Sequence, residues 1–265
     1  MQLLDRLERY YDAVPRGDAA AEQVGPFTLF VRNGPGWPYY ARPSVGADGF
    51  TAADVEAVRS RMRELGVVEQ FEWVGEVSPE LAAAAAGAGL NVHDHPLMTL
   101  DGDVVAPPPP DGAVIEMLPG AGELAAVEAV QQLGFGQAGT EPGPAGLEEL
   151  RAAVEVVPPG RVEAQRDAVK RGLKRHAAAR MDGAIVCAGG HKPVGDTTEI
   201  VGVATLPAYR RRGLAGAVTA ELAADARRGG ADLVLLSAGD DDVARLYGRL
   251  GFVRVGTAYI AEPPQ

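Results

Sequence analysis

The sequence predicts an α/β protein built on a mixed central sheet and divided into two parts, and three observations carry that reading. β-branched or aromatic runs that read as strands alternate with helix-period segments along most of the chain. A stiff proline run, Ala106-Pro107-Pro108-Pro109-Pro110-Asp111-Gly112, interrupts them. In the C-terminal part, Glu199 to Ala226 reads as a buried strand that passes through a short turn into a helix opening on Gly213. The expected division is therefore residues 1–106, a linker at 107–112, and a second domain at 113–265.

Composition sets the outer bounds. With 265 residues and 46% hydrophobic content, the chain can bury one large core or two small ones. Its single cysteine, Cys187, excludes an internal disulfide and cysteine-rich zinc sites. The N-terminus, MQLLDRLERYYD, is an amphipathic helix pattern without the layout of a signal peptide, and no apolar run approaches a membrane span. The cytoplasm is the expected compartment, with no membrane partner. A net charge of −11 disfavours nonspecific binding of nucleic acid.

In chain order, Leu3 to Val14 reads as a helix ended by Pro15 and Gly17. Phe27–Arg32 and Pro38–Arg42 are strand-like runs flanking the turn residues Asn33-Gly34-Pro35-Gly36. Thr51 to Leu65 is a helix with Thr51 as N-cap, Asp54 three residues on, and Gly66 as its stop. Phe71–Val74 follows as a short strand, Ser78–Leu90 as a small-residue helix with Pro79 in its first turn, and His95–Leu100 as a strand.

After the linker, Ala113–Met117 reads as a strand and Glu123–Leu133 as a helix. Gly134–Gly146 is a Gly/Pro-rich loop long enough to be functional, and a second helical stretch leads to the basic segment Arg166–Arg175. His176–Met181 and Ala184–Gly189 flank Asp182-Gly183, a type I′ hairpin signal. Gly195-Asp196-Thr197 then turns the chain into the strand at Glu199.

That strand carries Ile200, Val201 and Val203 and is ended by Pro207, which removes a ladder donor. The helix after Gly213 has an inward face of Leu214, Val218 and Leu222, with Arg227 and Arg228 in its last turn and Gly229-Gly230 as its stop. A helix start of this kind leaves backbone N–H groups unpaired at the positive end of the dipole, and a glycine lets a phosphate approach them. The pattern is that of a pyrophosphate cradle.

Arg210-Arg211-Arg212-Gly213-Leu214-Ala215 resembles motif A of the GNAT N-acetyltransferase superfamily, (Gln/Arg)-x-x-Gly-x-(Gly/Ala), with Arg210, Gly213 and Ala215 on its fixed positions. Asp240–Phe252 (DDDVARLYGRLGF) resembles motif B through Leu246, Tyr247, Gly251 and Phe252, with Asp240 and Val243 replacing the usual Asn and Ala. The resemblance covers roughly the C-terminal domain of ordinary length. It implies a GNAT fold, a mixed sheet in which the strand at Val201–Thr205 splays from the strand at Leu233–Ser237. Acetyl-CoA then enters the gap as acyl donor, with no metal. Main-chain contacts to the pantetheine arm fall on Val203, Ala204 and Thr205, and those to the pyrophosphate on Arg210, Arg211, Arg212, Gly213, Leu214, Ala215 and Gly216; Asp240 stands where the family's pantetheine-contacting Asn does.

The residues with chemistry each have a structural reading beside the functional one. Periodicity alone makes Tyr247 a core tyrosine of the helix Asp241–Leu250; the motif makes it the general acid that protonates the departing thiolate, and a second cofactor contact. Glu199 lies at the offset of the glutamate that deprotonates the acceptor in some family members, or is a strand end facing solvent. Asp240–Asp242 cap a helix start. His93 and His95 share a strand face but have no third ligand nearby in sequence. Cys187 reads as packing. The basic segment from Arg166 reads as a solvated helix face.

The resemblance thus implies direct transfer of acetyl from acetyl-CoA to a small-molecule or protein amine in a ternary complex. The alternative is a catalytically weak acyl-CoA-binding or sensing module. Before the proline run, the order strand, strand, helix, strand, helix, strand is similar to the second half of the same fold, but Ser44–Phe50 lacks the Arg-x-x-Gly-x-Gly/Ala signature. Residues 1–106 are read as a degenerate, truncated GNAT-like lobe, which makes a monomer with an internal pseudo-dimer the expected state.

Overall fold

The computed structural model describes residues 2–120 and 122–264. In chain order the N-terminal elements are α1 (Leu3–Ala13), β1 (Ala19–Val24), β2 (Phe27–Arg32), β3 (Ala41–Pro43), α2 (Ala52–Leu65), β4 (Phe71–Val74), α3 (Leu81–Gly87) and β5 (Asn91–Leu100). There follow β6 (Val114–Met117), α4 (Leu124–Phe135), α5 (Leu147–Val156), α6 (Pro159–Lys170), β7 (Arg175–Met181), β8 (Ala184–Val194) and β9 (Thr197–Thr205). Last come α7 (Leu214–Arg228), β10 (Leu233–Ser237), α8 (Asp241–Gly248) and β11 (Phe252–Glu262). The described chain forms two compact units: one takes the chain up to Met98 with Ser237–Asp241 and the segment from Arg254 on, the other Thr99–Leu236 with Asp242–Val253.

In the first unit the strands lie in the order β1-β2-β3-β4-β11-β5. β1, β2 and β3 are antiparallel neighbours, whereas β3 and β4 are parallel and joined through α2. α2 forms as expected: Thr51 accepts from Asp54 N–H at 3.2 Å, Asp54 accepts from Thr51 N–H at 3.0 Å, and Gly66 closes the helix at φ 65°. Its Val55, Val58 and Met62 are buried against Phe27, Phe71 and Trp73. The C-terminal strand supplies part of this core, since Ala258–Ala261 pair antiparallel with Phe71–Val74 and Tyr259 stacks on Trp73 at 5.3 Å.

Four N-terminal elements differ from the sequence expectation. The strand expected at Pro38–Arg42 is β3, Ala41–Pro43, because only Ala41, Arg42 and Pro43 find partners on β2. β1, AAAEQV, has little β-branched or aromatic content and is held instead by pairing with β2 across the turn at Gly25. α3 is shorter than Ser78–Leu90, because Gly89 at φ 82° turns the chain out. β5 begins at Asn91, four residues before His95, through a largely exposed stretch without an apolar signal.

In the second unit the order is β10-β9-β8-β7-β6, with β6 to β9 antiparallel and β9 parallel to β10. The hairpin turn has Asp182 at φ 52° and Gly183 at φ 77°, the pair of positive values that type I′ requires. Val157-Pro158 splits the second helical stretch into α5 and α6. β9 starts at Thr197, ahead of Glu199, because Thr197 and Thr198 pair with β8 on one side and β10 on the other. α4 packs on β8 and β9, and α7 on β6 to β9. The two helices cover opposite faces: a Cβ on Gly134 of α4 would meet Ala204, while one on Gly189 would meet both Val203 and Leu222 of α7, and consecutive strand residues point to opposite sides.

Candidate active site

α7 opens on Gly213 in the left-handed region, φ 81° and ψ 1°, with no side chain capping the first turn. A Cβ at Gly213 would find only Pro110 Cγ, at 3.8 Å, so the helix start is open to a ligand. Two positions earlier Arg211 holds φ 62°, a conformation that non-glycine residues enter at a cost of about 1–2 kcal/mol. The turn is thus built to present the N–H groups of Leu214, Ala215 and Gly216 at the positive end of the α7 dipole. Gly213, Arg211 and Arg212 are exposed, and the Arg212 guanidinium lies over the Tyr209 ring at 4.9 Å. These residues suit a pyrophosphate.

β9 is bulged just before this turn. Its register with β8 passes from Ala188↔Ala204 to Gly190↔Val201, which inserts one extra residue in β9, and Gly202 takes φ 64° there. The Gly202 carbonyl accepts from Gln131 Nε2 of α4 at 2.7 Å. Pairing of β9 with β10 covers only Thr197↔Leu233, Thr198↔Val234 and Glu199↔Leu235. Beyond Glu199 the strand pair opens. Val203, Ala204 and Thr205 lie on that open stretch, an unpaired strand edge of the kind an extended ligand can extend.

The extra residue also sets which side chains share a face. Thr205 Oγ1 donates to Cys187 Sγ at 3.2 Å, on the side that α7 covers. Tyr247 of α8 is buried beside them, and its hydroxyl is pushed up to about 12, by burial first and by the neighbouring Cys187 second. The Thr219 hydroxyl of α7 opposes that shift by its proximity, yet it makes no hydrogen bond of normal geometry and is fully buried. Burial pushes the Cys187 thiol up to about 12 as well. One α/β layer therefore gathers a protonated phenol, two hydroxyls and an inert thiol next to the opening of the strands.

Other expected residues lie apart from this group. Thr198 bonds His191 at 2.9 Å on the α7 side, so alternation turns Glu199 to the face that α4 covers, where Lys192 stands directly across on β8. Tyr247 and Glu199 thus address opposite faces of the sheet. Arg210 is turned from the helix start toward the end of α4, donating to the carbonyls of Gly134, Gln137 and Glu141. Asp240 is exposed immediately before α8. His93 faces Glu262 at 3.8 Å and His95 bonds the Gly239 carbonyl at 3.1 Å. Among the described residues no group of three or more His, Cys, Asp or Glu side chains could hold a metal.

The far end of α7 has its own polar cluster. His191 Nε2 donates to Asp225 at 3.0 Å, Arg175 makes a two-pronged contact with the same carboxylate at 2.6 and 2.9 Å, and a cavity of about 450 Å³ opens beside them. With 15 residues in α7, this cluster stands about 20 Å from Gly213.

Residues 147–252 match the family model of the acetyltransferase (GNAT) family, a span that includes the bulged strand, the turn, α7 and α8. The chain carries a GNAT-family acetyltransferase domain. Solved structures agree on the fold over a longer stretch. A GCN5-related N-acetyltransferase from Kribbella flavida superposes with a TM-score of 0.74 at 24% identity, covering 100% of this chain and 97% of its own. A GCN5-related N-acetyltransferase-like protein from Streptococcus suis gives 0.58 at 13% identity, covering 98% and 97%. A tandem GNAT protein from the clavulanic acid biosynthesis pathway gives 0.53 at 20% identity, covering 90% and 79%. Among curated proteins none matches the chain. The GNAT domain thus supports acyl transfer, and among the described residues no helix is long and apolar enough to cross a membrane.

Some of the site lies outside what the sequence reading singled out. Gln131, Thr219 and the carbonyl contacts of Arg210 have no motif signature. Gly202 did carry one, since a glycine inside a strand pattern marks a bulge or a close approach.

Proposed function

We propose that the GNAT domain transfers an acetyl group from acetyl-CoA to an amine by direct attack within a ternary complex. The observation that carries this reading is the pairing of β9 with β10, which stops at Glu199↔Leu235 on the same strand–helix–strand unit whose helix opens on Gly213. A free strand edge for an amide-bearing arm and uncapped N–H groups for a pyrophosphate are the two recognition elements that coenzyme A requires, and here they are consecutive in the chain. The coenzyme supplies an activated thioester; the protein supplies orientation and proton transfer.

In the reaction the amine nitrogen forms a bond to the thioester carbonyl carbon, the carbon–sulfur bond breaks, the amine gives up a proton and the sulfur accepts one. Tyr247 suits the second transfer because burial keeps its phenol protonated throughout the physiological range. Glu199 is the candidate base, reaching the amine from the opposite face of the strand, directly or through water. Direct attack fits better than an acyl-enzyme, because Cys187, the only cysteine, is buried and stays a neutral thiol. The acceptor is a small-molecule or protein amine.

For the remainder of the chain, the reading is a GNAT-like lobe over residues 1–106 without a donor site of its own, the proline segment 107–112, and the catalytic domain from 113. Acetyl-CoA should raise the unfolding temperature by mass action, and Gly213→Asp should abolish that shift by placing a carboxylate where the pyrophosphate sits. Gly213→Asn is the control for backbone strain, since Asn tolerates the left-handed region. An acetyl-CoA shift that survives in the Asp variant refutes the cradle.

A further inference from the structure

The geometry points to Arg210 as a positioning residue that latches the α4–α5 loop to the donor cradle, rather than as a ligand of the donor. The inference rests on the acyl-donor reading of the cradle for its functional meaning, but its observation is separate. Arg210 Nη2 donates to the carbonyls of Gly134 at 2.6 Å and Gln137 at 2.8 Å, and Nη1 to that of Glu141 at 3.1 Å. Gly134 lies in the last turn of α4, where carbonyls lack helical partners and the dipole is negative. The guanidinium therefore caps the C-terminus of one helix from a turn that opens the N-terminus of another. Turning it toward a phosphate would break three charge-assisted bonds.

The loop it holds needs such a tie. Between Gly136 and Gly146 the sequence GQAGTEPGPAG is rich in glycine and proline, and ordering it costs conformational entropy. Two backbone bonds reinforce the latch: Gly143 N–H donates to Pro207 O at 3.1 Å and Ala208 N–H to Ala145 O at 3.0 Å. At its start the loop abuts the reactive end of β9, where a Cβ on Gly134 would come within 2.9 Å of Ala204 Cβ and 3.1 Å of the Thr205 carbonyl. The loop consequently borders both the cradle and the open strand edge. A donor that settles the Arg210–Gly213 turn also settles this wall of the site.

The test compares wild type with Arg210→Met, which keeps the aliphatic stem, and Arg210→Lys, which keeps the charge. Amide hydrogen exchange over residues 136–146 is measured with and without coenzyme A, and the affinity for coenzyme A by titration calorimetry. The Met variant is expected to exchange the loop at least about 10-fold faster without ligand, because losing these bonds lowers the free energy of opening. Coenzyme A should slow the loop further in wild type, barely in the Met variant and partly in the Lys variant, with affinity changed by no more than about 3-fold, or roughly 0.6 kcal/mol. Unchanged loop exchange in the Met variant, or a loss of coenzyme A affinity of about 100-fold alone, overturns the latch. If wild type binds no coenzyme A, the donor reading fails, while the ligand-free comparison of the loop still decides the role of Arg210.

Discussion

Gln131 of α4 donates its side-chain amide to the carbonyl of Gly202, 2.7 Å away, and so fixes the one residue of β9 that breaks register with β8. The bulge lies just past the point where pairing with β10 ends, and the Gln131 amide satisfies the Gly202 carbonyl within it. Gln131→Leu should strand that carbonyl and cost about 1–3 kcal/mol in urea unfolding. Gly202→Ala should cost at least about 1–2 kcal/mol through its positive φ, and its Cβ would also stand 2.6 Å from the Gln131 amide. Both variants should weaken acetyl-CoA binding beyond their loss of stability; a normal affinity in each would detach the bulge from the donor site.

Tyr247→Phe should lower kcat on the order of 10²-fold and leave acetyl-CoA affinity nearly intact. Because its phenol is pushed up to about 12, Tyr247 keeps its proton over the usual assay range, and no alkaline fall in kcat below about pH 10 should trace to it. A variant that turns over normally but melts earlier would assign the tyrosine to packing alone.

One acetyl-CoA should bind per chain. In the first unit α2 also follows a strand and precedes its parallel neighbour, but its start is a closed capping box, with Asp54 N–H on the Thr51 hydroxyl and Thr51 N–H on the negative Asp54, and Gly49 N–H is taken by Glu80 at 3.0 Å. An anion meets two carboxylates there. A calorimetric stoichiometry of two equivalent sites would contradict this assignment.

Stability should fall as pH is lowered through about 6.5, the unfolded histidine range. His176 is buried and held well below its ordinary value by desolvation, and His191 is lowered by burial despite its bond to Asp225. The unfolded chain therefore takes up protons that the native state refuses, and stability is complete above that range. Each histidine contributes a slope of up to about 1.4 kcal/mol per pH unit until its native pKa is reached. Asp225 adds a loss only below about pH 4: burial works to raise its pKa, but the bonds from Arg175 and His191 outweigh it. His176→Phe should reduce the slope near pH 6 in pH-dependent urea titrations; an unaltered slope would remove His176 from the balance.

The parts legible in the sequence are those specified by local chemistry. Thr51 with Asp54, Asp182-Gly183 and the Leu214-Val218-Leu222 stripe each dictate a cap, a turn or a buried face within one short segment, and each is found in the structure. What escaped depends on partners distant in sequence. β1 is held by its pairing with β2, and the end of β11 by the pairing of Ala258–Ala261 with Phe71–Val74. The fixed motif position of Arg210 suggests a cofactor contact, yet its side chain is claimed by carbonyls about 70 residues upstream, a relationship no local pattern contains. The sequence pattern puts Glu199 on the strand it occupies, but which face it addresses depends on pairing and on the bulge that follows.

Acetyl transfer to an amine is tested most directly by turnover of acetyl-CoA across a library of small amines and amine-bearing peptides, read by thiol release and by mass detection of products in parallel. The expected result is thiol release that depends on an amine, matched by a product one acetyl group heavier, and loss of both in Gly213→Asp. Binding of acetyl-CoA without amine-dependent thiol release, or thiol release equal to hydrolysis with no acetylated product, would contradict it and leave a coenzyme-binding module in its place.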